Sequence, residues 1–212
     1  MRLLAVCFGL VVFIASLSDA EVFWFEVEDC DAGKSNLEFN EQGLNVVWSL
    51  EADPEAFNNQ YLIPSGANRD TVEAAAGLVY MLPRVGDPAG WQLWVRSIMP
   101  TSGSDSLFFQ ISQDGGNTWS APTAAHAAEQ FEEWRWHRPW DIEGLAAGEG
   151  NALRIAEREN GAKLDVICLR NDGQTPTDAE YEDYLKQQEP LPSAVDARGK
   201  LAGTWGKIKS GI

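Results

Sequence analysis

Short apolar runs recur along the chain and most keep a period of two. They cover Val22 to Glu28, Leu44 to Leu50, Leu78 to Leu82, Trp91 to Met99, Leu107 to Gln113, Trp134 to Ile142, Ala152 to Arg158 and Leu164 to Arg170. Trp91, Leu93 and Val95 alternate with Gln92 and Arg96, and Leu153 and Ile155 are set against Arg154 and Glu157, so each run predicts a strand with one buried face. Pro83 to Gly90, Pro100 to Ser104 and Asp114 to Asn117 carry the Gly, Pro, Asp and Ser of loops, and Asp-Gly-Gly-Asn reads as a hairpin tip. Eight strands with turns between them predict an all-β fold, a two-sheet antiparallel β-sandwich of the jelly-roll kind. Helix is scarce. Arg69 to Ala76 could make two turns, and Thr177 to Gln188 follows Pro176 and carries the Thr177/Glu180 spacing of a capping box.

The two ends of the chain read differently from this body. Met1 and Arg2 precede an apolar run from Leu3 to Leu17, and Ser18, Asp19 and Ala20 supply the small, polar end of a cleavage site. Residues 1–20 are therefore expected to be a signal peptide cut after Ala20. The mature chain is expected to be secreted, periplasmic or at the cell surface, with no transmembrane segment. Residues 21–175 form the sandwich, and 176–212 a short helix, a linker from Glu189 with Pro190 and Pro192, and a basic, loosely ordered tail around Trp205.

The formal net charge of -16 makes nucleic acid a poor partner and favours solubility; cation binding is the sharper reading. Cys30 and Cys168 remain after cleavage, as a disulfide or as two buried thiols. There is no GxSxG elbow, no HExxH, no zinc-spaced Cys/His cluster and no phosphate-cradling glycine loop, and only His126 and His137 titrate near neutrality. Spacing does not exclude a carboxylate pair of the glycosidase type, but no positive sign of an enzyme is present.

Nine tryptophans stand out, three of them in EEWRWHRPWDI, where Trp134, Trp136 and Trp140 share a parity. They form either a buried aromatic layer or a platform on which the apolar faces of sugar rings stack. Pro139 should bulge the strand and turn one ring away from the others, and Trp119, beside the hairpin tip, is placed for exposure. Glu26 and Glu28 form an E-x-E pair in the first strand, and Asp165 lies in the last one. Together they make either an exposed acidic face or a hard-oxygen site suited to calcium.

The ordered set FEVED, GWQLWVRS, SDSLFFQIS, LRIAERENGAKLDVICLRND and QTPT, spanning Val22 to Thr177, resembles the galactose-binding-like jelly rolls of the family 6 and family 35 carbohydrate-binding modules. The resemblance implies a sandwich closed by its terminal strands, with a structural calcium on Glu26, Glu28 and Asp165. It also implies a glycan cleft among loops at one end, carried over to Trp119, Trp134, Trp136, Asp105 and Asn160. The expected function is non-catalytic recognition of a glycan or polysaccharide by stacking and hydrogen bonds. The alternative is an extracellular structural or protein-interaction sandwich with no sugar site.

Overall fold

The computed structural model describes residues 20–35, 47–65, 68, 71, 77–126 and 131–188. The signal segment, the tail from 189 and all but one position of the Arg69 to Ala76 helix lie outside the described residues. Among those described, ten strands form two antiparallel sheets. They are β1 (Val22–Glu26), β2 (Val47–Ala52), β3 (Gln60–Ser65), β4 (Gly77–Met81), β5 (Gln92–Ile98), β6 (Ser106–Ser112), β7 (Thr123–His126), β8 (Arg135–Asp141), β9 (Ala152–Glu157) and β10 (Lys163–Arg170), followed by the helix α1 (Asp178–Gln187). One sheet runs β2-β3-β10-β5-β8 with β1 also on β10, and the other runs β4-β9-β6-β7. The protein is a jelly-roll β-sandwich.

The chain closes on itself as a sandwich without free terminal edges should. β1 pairs with the second half of β10 from Val22 opposite Arg170 to Glu26 opposite Val166, while β3 meets the start of β10 at Leu62 opposite Leu164. Between the sheets lies the main core, where Trp91, Leu93 and Val95 face Leu153, Ile155 and Leu107. The alternation in β5 and β9 is thus as expected, with one correction. Glu157 shares the parity of Leu153 and Ile155, not that of Arg154, and it is fully buried opposite Leu107.

Two strands had no counterpart in the hydrophobic pattern. β3 has only Tyr61, Leu62 and Ile63 before Pro64 interrupts it, and β7 is the short, alanine-rich Thr-Ala-Ala-His. β3 is too short a run to show a period and β7 has little strand preference of its own, and each is held by the register of its neighbour.

A second apolar layer explains why β10 is buried along nearly its whole length and does not alternate. On the outer face of the six-stranded sheet, α1 covers Trp24, Trp94, Val166 and Cys168 with Tyr181, and Phe57, Trp136, Tyr184 and Leu185 pack around them. The helix starts where the sequence places it. Thr177 accepts a hydrogen bond from the Glu180 N–H at 3.1 Å, and Asp178 and Glu180 sit in the first turn. It is fastened to the sheet by polar contacts at three levels. Arg96 donates to Asp178 at 3.1 and 3.2 Å, Arg170 to Glu180 at 2.9 Å, and the Tyr181 hydroxyl to Glu26 at 2.7 Å.

The two cysteines do not bridge. Both are free thiols, Cys30 in the main core and Cys168 in the layer under α1, on opposite faces of the six-stranded sheet. Among the described residues no helix is long and apolar enough to cross a membrane.

Candidate functional site

The five residues carried over for glycan binding fall in three places. Trp134 and Trp136 are drawn into the aromatic layer outside the six-stranded sheet. The Trp136 ring meets Trp24 edge-on at 5.6 Å, and its indole N–H donates to Asp178 at 2.8 Å. Trp134 stands edge-on to Tyr61 at 5.8 Å, with the Arg96 guanidinium 5.4 Å from its ring. Each ring thus has structural partners, one of them contributed by the helix. Trp140 lies on the other side. The ladder shifts register between Leu93 and Val95, opposite the Pro139 region, and Trp140 packs against the main core.

Asp105 and Asn160 sit at the end of the sandwich formed by the β5–β6 and β9–β10 connections. The Asp105 carboxylate lies 3.5 Å from His126, and its N–H donates to Glu159 at 2.9 Å. The Ser106 hydroxyl also donates to Glu159, at 2.6 Å, and Arg158 donates to Ser106 at 2.6 Å. Asn160 is exposed, and its backbone N–H donates to the Asn68 side chain at 2.9 Å. The structure thus brings Asp105 and Asn160 to one end of the sandwich, away from Trp119.

Trp119 is at the opposite end, after β6, and it is the best-built of the candidates. Asp114 organises the turn that carries it. One carboxylate oxygen accepts from the Asn117 N–H, the Thr118 N–H and the Ser112 hydroxyl at 3.0, 2.9 and 2.7 Å, and the other accepts from the Thr118 hydroxyl at 2.7 Å. These bonds, the Thr118 N–H foremost, hold the Asp114 carboxyl down at about 2, so it stays ionised. Gly115 and Gly116 both have positive φ, 72° and 88°, and a side chain on Gly116 would come within 3.2 Å of the Trp119 ring. Two glycines in succession therefore have a local cause: the left-handed backbone and the ring's close approach.

The half-buried Trp119 ring lies over the outer face of the four-stranded sheet, with the Arg154 guanidinium 4.1 Å from its centre. Arg154 donates to Gln110 at 3.0 Å, and Gln110 in turn donates to the Ser120 carbonyl at 2.6 Å. Ser120 pairs with Ile111, N–H to carbonyl at 2.8 Å and hydroxyl from N–H at 3.0 Å, so the segment after Trp119 is stitched onto β6. Lys34 reaches the same turn and donates to the Gly115 carbonyl at 2.6 Å. Met81, 40% exposed, lies beside it. Arg154, Gln110 and Lys34 were not singled out from the sequence. Their only signal there is the outward parity of Arg154 and Gln110 on strands whose inward residues are apolar.

The carboxylates implied as calcium ligands come together only in part. β1 ends at Glu26, and Val27 to Asp29 form a 3-10 turn, yet Glu26 stays close enough to act on the Glu28 carboxyl. Burial, and then the neighbouring Glu26, push Glu28 up to about 9. Glu26 also accepts from Asn58 and Tyr181. Asp165 is committed elsewhere, paired with Arg96 and accepting the Phe57 N–H at 3.2 Å. Burial lifts it to about 7 in spite of the guanidinium. Among the described residues no three His, Cys, Asp or Glu side chains converge to hold a metal ion. Two neighbouring half-buried carboxyls have the chemistry to hold a hard cation in place of the proton that Glu28 keeps, whereas Asp165 already has its counter-charge.

A shallow hollow of about 450 Å³ lies between β1 and α1, lined by Val22, Trp24, Glu180, Asp183, Tyr184 and Gln187. None of the sequence-derived candidates lines it.

No protein-family model matches the sequence, and no curated protein matches it. Among solved structures, the C-terminal CBM6 of LamC, a marine laminarinase from Zobellia galactanivorans, is similar at 11% identity and a TM-score of 0.44, over 70% of this chain and 98% of that one. The CBM22-1–GH10 modules of Clostridium thermocellum endo-1,4-β-D-xylanase 10B, complexed with xylohexaose, are similar at 12% identity and a TM-score of 0.40, over 70% of this chain and 29% of that one.

Proposed function

We propose that this protein is an exported, non-catalytic β-sandwich that binds a glycan on the outer face of its four-stranded sheet, with Trp119 as the stacking platform. The observation that carries the reading is the way Trp119 is held: a half-buried ring fixed by the Asp114 turn and backed by Arg154. A ring locked in advance spends little conformational entropy on binding, and the polar groups of Arg154, Gln110 and Lys34 around it can orient sugar hydroxyls. The absence of catalytic motifs in the sequence and the signal-like start support the non-catalytic and exported parts of the reading. A structural calcium on Glu26 and Glu28 completes it, replacing the proton that Glu28 otherwise holds.

A glycan array with the wild-type chain and Trp119→Ala tests the proposal. Loss of a buried aromatic anchor costs about 2 kcal/mol or more, some thirtyfold in affinity. Binding that is lost in Trp119→Ala and kept in Trp136→Phe supports the site; binding unchanged in Trp119→Ala overturns it. Exposed Met81, beside the Gly115 turn that leads to Trp119, favours the second reading, a protein-interaction face, and an array without hits would leave that reading standing.

A further inference from the structure

Resting on the glycan reading of the Trp119 face, we infer that the preferred sugar there is acidic, its anionic group received by the Arg154 guanidinium that stacks on the Trp119 ring.

The argument begins with where the chain puts its arginines. In a protein of formal net charge -16, a cation has many carboxylates to choose from. Arg96 pairs with Asp165 and Asp178, Arg135 with Glu133, Arg158 with Glu159, and Arg170 with Asp172 and Glu180. Arg154 has no such partner among the described residues. It is half-buried in the middle of β9, its stem passes against Gly77, and among the described residues its one hydrogen bond is to the neutral amide of Gln110. The contrast with Arg170 is physical. Asp172 and Glu180 hold the Arg170 proton more firmly, while burial alone acts on Arg154 and lowers its affinity for the proton. A desolvated cation left without an anion is costly unless something supplies one.

The surroundings select what that anion could be. Five N–H donors in a planar fork suit the two oxygens of a carboxylate or sulfate, and one of those donors is spent on Gln110. The adjacent indole suits the apolar face of a pyranose ring. A sugar carrying its own anion meets both demands in one residue, as a uronic acid or a sulfated hexose does. Lys34, close to Trp119 across Gly116 and only loosely paired with Asp31 at 4.0 Å, adds a second positive charge at the rim. The one carboxylate of the turn itself, Asp114, has its oxygens engaged by Ser112, Asn117 and Thr118 and does not compete for Arg154.

The test uses the full-length chain and oligosaccharides in matched pairs: uronic acid oligomers with their methyl-esterified counterparts, and sulfated oligomers with their desulfated ones. Titration calorimetry should show the charged member of at least one pair bound about tenfold or more tightly, an advantage that shrinks as salt is raised. The pair that responds tells carboxylate from sulfate. Arg154→Met should bring the charged member down to its neutral counterpart, Arg154→Lys should keep part of the preference, and Trp119→Ala should weaken both members. Thermal melting checks that each variant is folded. Equal binding of charged and neutral members, or a preference that survives Arg154→Met, overturns this inference and leaves glycan recognition intact. Failure of every glycan to bind overturns both.

Discussion

If α1 belongs to the fold and is not an appendage, truncating one of its side chains should cost as much as a core mutation. Tyr181 is the residue to change. It is 1% exposed, and its ring lies 4.8 Å from Phe57, 5.3 Å from Trp24 and 5.9 Å from Tyr184. Its hydroxyl donates to Glu26 at 2.7 Å. Truncating a buried aromatic to alanine costs about 3–5 kcal/mol. Within that sum the hydroxyl can be separated, because Tyr181→Phe keeps the ring and leaves a carboxylate oxygen unpaired, for about 1–3 kcal/mol. Against a total stability of about 5–15 kcal/mol for a domain, Tyr181→Ala consumes a large share. Urea unfolding followed by tryptophan emission reports on the right place, since Trp24, Trp94 and Trp136 are all in the layer the helix covers. The expected order is wild type, Tyr181→Phe, then Tyr181→Ala, with midpoints falling at each step and the slope unchanged for Tyr181→Phe. A Tyr181→Ala midpoint within about 1 kcal/mol of wild type would refute the reasoning, because a helix resting loosely on the sheet predicts that small value.

Glu28 sets a pH dependence whose sign follows from its raised value. A carboxyl at about 9 when folded and at the ordinary 4.5 when unfolded binds its proton more tightly in the native state, so its contribution is complete below about 4.5 and is lost as pH rises toward 9. In chelator the melting temperature should therefore fall across that window. Calcium should restore it at the alkaline end, and Glu28→Gln should flatten the pH profile; a profile in chelator that is flat in the wild type contradicts the account of the pair. The thiols of Cys30 and Cys168, buried in separate clusters, should leave melting unchanged by reductant and react with a thiol reagent only on unfolding. Burial raises both, Cys30 to about 11, which further slows reaction through the thiolate; a melting temperature lowered by reductant would point to a bridge instead.

The fold was legible where one residue type decides one local choice. β5 shows its inward set as Trp91, Leu93 and Val95, α1 shows its cap as Thr177, and Pro139 marks the region where β8 slips against β5. It was illegible where a neighbour decides. β3 and β7 lack a pattern of their own, and the burial of β10 on both faces follows from the helix after it only because the chain turns back over the sheet. The same limit governs the site. Parity placed Trp134 and Trp136 on one face, but it could not say that Trp24, Asp178 and Tyr61 would claim their rings. Trp119 was singled out for its loop. Its partner Arg154 lies on another strand, and the stack between them exists only once β9 has paired with β6 through Arg154 and Gln110. The E-x-E pair stayed together even though Val27 turned from strand to 3-10, whereas Asp165 went to Arg96, a cross-strand choice invisible in spacing.

Isotope-edited amide and indole spectra recorded during a glycan titration test the central claim most directly. The account predicts that the Trp119 indole N–H and the amides from Ser112 to Ser120 shift together with Arg154, while the indole signals of Trp24, Trp94 and Trp136 stay in place. Shifts confined to that second group, or to the loops around Asp105 and Asn160, would contradict it.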